Sequence, residues 1–325
     1  MKIAITGGAG YVGSALVPYL TGQGHQVTVV DLFWYGRGVL SGSGASLVEV
    51  DIRDQPALAS ALRGHDAIIH LACISNDPSF ELDPQLGKSI NYDAFPGLLE
   101  AVRCSGASRF IYASSSSVYG LSDKPEVDEE TECRPLTDYS RFKLDCESLL
   151  HERGVGDTVY TIIRPATVCG YAPRLRLDLV VNILTINALV HRKIRVFGGP
   201  QLRPNIHIQD MVRAYELLLL APEEKVRGQA FNAGYENRSL TEIATLVAET
   251  LEDPGLEIVH EETDDLRSYH ISSKKIAREL GFEASFTLKD AIAELARRYR
   301  SGEIPEPMTN PLYFNIKTMK EVVAL

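Results

Sequence analysis

The first twenty residues read as three contiguous pieces, and their order constrains the fold more than any other stretch of the chain. Met1-Lys2-Ile3-Ala4-Ile5-Thr6 is a short apolar run suited to a buried strand. Gly7-Gly8-Ala9-Gly10-Tyr11-Val12-Gly13 follows without a gap, and Ser14 to Leu20 then spaces its apolar residues as a helix does. A strand that turns on glycine directly into a helix gathers unpaired N–H groups and the positive end of the helix dipole at one point, where a phosphate can sit. In this reading Gly7 permits the tight turn, Gly10 leaves the backbone open to a pyrophosphate, and Gly13 lets the helix pack close. Tyr11 and Val12 lie at the helix end that meets the phosphates.

A second strand, Gln26 to Val30, ends at Asp31, eighteen residues beyond Gly13. At that distance a carboxylate meets the adenosine ribose hydroxyls of a dinucleotide and repels a ribose phosphate, which favours NAD over NADP. Arg37 is the residue that could reverse the preference. Ser46 to Val50 leads into Asp51-Ile52, Ala67 to His70 into Leu71-Ala72, and Arg109 to Ala113 into Ser114, each an apolar strand with a helical segment after it. The pattern predicts an α/β fold with a Rossmann-type, doubly wound parallel sheet. Ligands bind at the carboxyl ends of such strands, so Asp51, Ala72 and Ser114 fall on the productive edge.

The 325 residues carry a net charge of -10, which argues against nucleic acid and anionic membrane surfaces as partners, since both require a basic face. A negatively charged substrate must then be met by local arginines. The five cysteines, at 73, 104, 133, 146 and 169, have an odd count and no metal-ligand spacing, as expected of reduced thiols in a cytoplasmic protein without zinc or disulfides. The opening strand leaves no room for a signal sequence, and no apolar run approaches the roughly 18 residues of a membrane span.

Tyr139 and Lys143 stand four apart, just after the serine run Ser114 to Ser117. On a helix these positions share a face, so a phenol and an ammonium can enter one cleft. A nearby cation favours the phenolate, and the pair makes a proton-transfer site.

With these residues in order, the chain resembles the extended short-chain dehydrogenase/reductases, in the group acting on nucleotide sugars that includes UDP-galactose 4-epimerase. The resemblance spans nearly the whole chain. It rests on Gly7-x-x-Gly10-x-x-Gly13, Asp31, Asp51-Ile52, His70-Leu71-Ala72, Ser114-Ser115-x-x-Val118-Tyr119-Gly120, Tyr139-x-x-x-Lys143, Arg164-Pro165 and Arg203-x-x-Ile206-His207-Ile208-x-Asp210. It implies that Tyr139 is the acid/base and that Ser115 hydrogen-bonds both Tyr139 and the reacting sugar hydroxyl. Lys143 would hold the nicotinamide ribose. Asp51 and Ile52 would flank the adenine, with Leu71, Ala72 and Pro165 lining the cofactor. Residues 1–166 would bind NAD and 167–325 mainly the nucleotide sugar, with elements near 205–235 returning to the main sheet.

Two departures stand out. The family's 4,6-dehydratases carry Thr-Asp-Glu where this chain has Ser115-Ser116-Ser117, and serines cannot do the acid and base work of water elimination, so no dehydratase activity is expected. Thr167 replaces a substrate-contacting Asn, and Cys169 a common Tyr. For the substrate, the resemblance gives Arg203 a diphosphate role and Tyr269 a place limiting the sugar pocket. Arg267 is a second candidate for the diphosphate. Asp178 and Asn182, four apart on an expected helix, would share a face, with Asn182 the polar contact and Arg176 a further candidate. Ile194 to Gly198 would line the base pocket or form an ordinary strand and turn, and residues 307–325 carry no legible motif. The leading expectation is an NAD-dependent nucleotide-sugar 4-epimerase, a homodimer in its relatives' manner. A 4-dehydrogenase or ketoreductase with net redox uses the same residues, and a non-catalytic dinucleotide-sensing regulator is a remote alternative.

Overall fold

The computed structural model describes residues 1–122, 124–263 and 268–323. Its strands, in chain order, are β1 (Lys2–Thr6), β2 (Gln26–Asp31), β3 (Ser46–Glu49), β4 (Ala67–His70), β5 (Arg109–Ala113), β6 (Val159–Pro165), β7 (Thr167–Cys169), β8 (Lys193–Phe197), β9 (Leu202–His207), β10 (Gln229–Ala233), β11 (Glu236–Ser239) and β12 (Glu257–Glu261). Seven of them form one sheet in the order β10-β6-β5-β4-β1-β2-β3, with every neighbouring pair parallel. The chain winds outward from β1 through β2 and β3, then returns to β4 and winds the other way. The reversal lies between β1 and β4, and it opens a crevice at the carboxyl ends of those two strands.

Strands covered on both faces need apolar residues throughout rather than alternation. Ile3, Ala4 and Ile5 of β1 and Ala67, Ile68 and Ile69 of β4 are all fully buried. One face packs against helices Tyr11–Gly22 and Ile208–Leu220 through Leu16, Leu20, Met211 and Tyr215. The other packs against helices Gln55–Leu62, Phe95–Ser105 and Asp138–Arg153 through Leu58, Leu98, Val102 and Leu150. Each such side chain contributes about 1.5–3 kcal/mol relative to exposure.

The later part of the chain adds a strand to the main sheet: β10 pairs with β6, Ala230 opposite Ile162. Outside that sheet, β11-β9-β7 form a three-stranded sheet and β12-β8 a parallel pair. Helices Val180–His191, Leu240–Leu251 and Leu288–Arg300 share a separate core with β8, built on Val181, Ile194, Val247 and Ile292. Ile194 to Gly198 therefore serves as strand β8 and its turn, paired to β12, rather than as a wall of the main crevice. No helix among the described residues is long and apolar enough to cross a membrane.

Candidate active site

The glycine turn is shaped by what lies against it. Gly7 has φ +74°, and a Cβ there would fall 2.5 Å from the backbone nitrogen of Ala72, just past β4. A Cβ on Gly13 would meet the carbonyl oxygen of Gly8 at 2.5 Å, so the helix can start only with glycine at that point. At Gly10 the single close neighbour of a Cβ would be the Gly7 carbonyl oxygen at 3.2 Å, and the remaining side opens to the crevice. Asp31 braces this turn: its Oδ2 accepts the Ala9 N–H at 2.9 Å and its Oδ1 the Phe33 N–H at 2.8 Å. Burial raises the Asp31 pKa, and these bonds oppose it. Arg37 is engaged elsewhere, with Glu49 at 2.6 Å and over the Phe33 ring at 4.2 Å. Asp51 is held ionised chiefly by its hydrogen bonds with Arg53.

The helix Asp138–Arg153 starts one residue before Tyr139, which fixes where the phenol points. Thr137 caps it in a reciprocal box with Ser140, and its hydroxyl donates to Asp77 Oδ1 at 2.6 Å. Tyr139 and Lys143 thus stand on the first two turns facing the end of β5. Lys143 is buried; its Nζ donates to the Ala113 carbonyl at 2.6 Å and lies 6.0 Å from the Tyr139 ring centroid. Ser115 Oγ lies 2.9 Å from Ser117 Oγ and lines the same crevice as the phenol. Burial pushes the Tyr139 pKa well above its ordinary range; Cys73 and Asp77 push the same way, while Arg176 and Ser115 pull it down. A phenol between a serine hydroxyl and an ammonium can exchange a proton with an alcohol oxygen brought to Ser115. On the same helix, Glu147 forms a bidentate, buried pair with Arg164 of β6, and Arg164 also donates to Tyr119 Oη at 2.8 Å.

One continuous crevice brings together Gly7, Gly10, Tyr11, Val12, Gly13, Asp31, Asp51, Ile52, Leu71, Ala72, Ser115, Tyr139, Lys143 and Pro165. Of the substrate candidates, Thr167 and Tyr269 are on its wall. Arg203 stands behind Tyr269, its guanidinium 5.4 Å from that ring's centroid and its Nη1 donating to the Leu202 carbonyl. Arg267 lies outside the described residues. Asn182 is not in the crevice. The helix expected to carry Asp178 and Asn182 on one face begins only at Val180, and Asn182 is fully buried, bonded to Gly170, the Tyr11 hydroxyl and the Arg176 carbonyl. Its role is to hold the segment after β7 against the glycine turn.

Residues 3–234 match the NAD dependent epimerase/dehydratase family. The chain belongs to this family. Among its relatives, a dTDP-glucose 4,6-dehydratase of Streptomyces niveus is 29% identical over 96% of both chains. A UDP-glucose 4-epimerase of Corynebacterium glutamicum is 26% identical over 93% of this chain and 96% of its own. The solved structure of MoeE5 in complex with UDP-glucuronic acid and NAD superposes with a TM-score of 0.80 and 29% identity, covering 93% of this chain and all of that one.

As a member of the epimerase/dehydratase family the protein is an NAD-dependent enzyme. The residues present fit the cofactor: a turn with no room for side chains at Gly7 and Gly13, a free backbone approach at Gly10, and a carboxylate at Asp31. Arg176, a candidate from the sequence, lines the crevice, and so do Arg174 and Asn315, which escaped the reading of the sequence. Arg174 had a local signal, standing two residues before Arg176 in Arg174-x-Arg176-x-Asp178. Asn315 had none, because its place depends on the tail folding back. There its Nδ2 donates to Ser75 Oγ at 2.9 Å, and its Oδ1 accepts from Arg174 and the Tyr35 hydroxyl.

Proposed function

We propose that the protein is an NAD-dependent nucleotide-sugar epimerase acting at carbon 4 through a transient keto-sugar. The single observation that carries this reading is the meeting of Tyr139, Ser115 and Lys143 with the glycine turn in one crevice, while positions 116 and 117 hold serines. Ser115 orients the sugar hydroxyl, and Tyr139 takes its proton and later gives it back. Coulomb attraction from the buried Lys143 ammonium favours the phenolate as the proton arrives or leaves. When bound, NAD would supply the hydride acceptor and then the hydride donor, so that the reaction carries no net redox.

Ser117 Oγ is bound to Ser115 and Ser116 is buried, so neither offers the carboxylic acid that elimination of water needs, which argues against a dehydratase. Residues 1–166 with β10 would hold NAD, and most of 167–325 the nucleotide sugar; Thr167 and Tyr269 would bound the sugar, with Arg203 toward the diphosphate. The resemblance also supports a homodimer through helices Phe95–Ser105 and Asp138–Arg153, and the free cysteines fit a cytoplasmic site.

A panel of UDP-, GDP-, CDP- and dTDP-sugars, UDP-glucose and UDP-glucuronate among them, tests the reading. Products are followed by NMR alongside nicotinamide absorbance. An inverted carbon 4 with no accumulating NADH is expected. Steady formation or consumption of NADH would instead make the enzyme a 4-dehydrogenase or ketoreductase, and full turnover by Tyr139→Phe would remove the assignment of the base.

A further inference from the structure

Two arginines in the crevice carry more positive charge than their protein partners neutralise. Arg174 and Arg176 are 3% and 8% exposed, and both line the crevice. Arg176 donates through Nε to Asp178 Oδ1 at 2.8 Å and through Nη1 to Ser75 Oγ at 3.3 Å, while its Nη2 meets no acceptor. Arg174 donates through Nη2 to Asn315 Oδ1 and stacks 3.7 Å from the Tyr35 ring centroid, leaving Nε and Nη1 unmet. One carboxylate, Asp178, thus serves two buried guanidiniums. Burial pushes the Arg174 pKa down to about 10, with the neighbouring Arg176 charge also lowering it. A desolvated cation with unmet donors is costly unless an anion completes it.

We propose that Arg174 and Arg176 together bind an oxyanion inside the crevice. Their planar, forked N–H groups match a phosphate or carboxylate in shape as well as charge. The Arg174 backbone N–H donates to Ser14 Oγ at 3.0 Å, the residue next to Gly13, and Arg176 reaches Ser75. Both side chains line the crevice that also holds the glycine turn and Tyr139. Two oxyanions suit that crevice: the pyrophosphate of NAD, and a carboxylate on the sugar of the substrate. The second source rests on the nucleotide-sugar reading; the first does not.

Trp34, the single tryptophan of the chain, lines the same crevice, so its emission reports binding there. Full-length Arg174→Gln and Arg176→Lys, together with Arg174→Lys, which keeps the charge and loses the fork, would be checked by thermal unfolding and titrated with NAD, UDP-glucose and UDP-glucuronate. Loss of a charge-assisted bond should weaken the oxyanion ligand by about tenfold or more in Arg174→Gln. A fall in NAD affinity with an unchanged preference between the two sugars assigns the pyrophosphate. Lost preference for UDP-glucuronate over UDP-glucose with NAD binding intact assigns the carboxylate. If the parent binds neither sugar, the nucleotide-sugar reading fails and the NAD arm alone decides. Should Arg174→Gln not fold, the Arg174→Lys titrations are read in its place. Folded variants with NAD affinity unchanged, and with the sugar preference either unchanged or absent in the parent, overturn the proposal.

Discussion

Asp77 and Ser115 act on the Tyr139 phenol from opposite directions. The Asp77 carboxylate raises its pKa and the Ser115 hydroxyl lowers it. Asp77→Asn should therefore move the acid-side inflection of the kcat/KM pH profile to lower pH, because that inflection reports the base in the free enzyme. Ser115→Ala should move it to higher pH and lower kcat by about a hundredfold, having also lost the group that orients the hydroxyl. Shifts of the same sign in both variants would contradict the arrangement. His70 gives a second residue-scale expectation. Its ring is buried, with Nδ1 2.7 Å from Thr6 Oγ1, and burial with the Lys143 charge pushes its pKa down to about 3. The unfolded chain keeps an ordinary histidine near pH ~6.5 and so binds the extra proton first. Stability should fall as pH drops from about 6.5 toward 3, and His70→Gln should flatten that limb of a urea-midpoint curve.

Between elements, the helix Asp138–Arg153 is tied to β6 by the Glu147–Arg164 pair, 2% and 8% exposed at the side chains. Breaking one partner leaves a buried charge, so Arg164→Met should cost about 3–5 kcal/mol, measured by chemical denaturation. Removing both, in Glu147→Gln with Arg164→Met, should recover part of that loss. The tie aims the face bearing Tyr139 and Lys143 at the sheet edge, and the single variant should lower kcat along with stability. Elements such as this helix were legible in the sequence because each role is local: a glycine turn between strand and helix, an acid at a strand end, two side chains one turn apart. The substrate wall was legible only in part. Thr167, Arg176 and Tyr269 were read as candidates, but Arg174 and Asn315 were not, since the wall comes from segments joined by tertiary packing, and a helix taken to include Asp178 begins two residues later, with Asp178 paired to Arg176 before it.

At the scale of the whole molecule, the tail closes the crevice. Asn315 bonds Ser75, Arg174 and Tyr35, and its backbone N–H donates to Asp178 Oδ2 at 3.1 Å. Asn315→Ala should cost about 1–3 kcal/mol by leaving buried donors unpaired, and should speed the release of NAD on dialysis. The pairing of β10 with β6 bears on how such a chain can change over generations. The last strand of the nucleotide-binding sheet, and the helix Ile208–Leu220 on its face, are encoded after β7, β8 and β9, which lie outside that sheet. A gene cut between the two halves would deliver a sheet whose β6 is a raw edge over an uncovered apolar face. New specificity must therefore arise by substitution within the loops threaded between these strands, since neither half can be inherited or exchanged as a cassette.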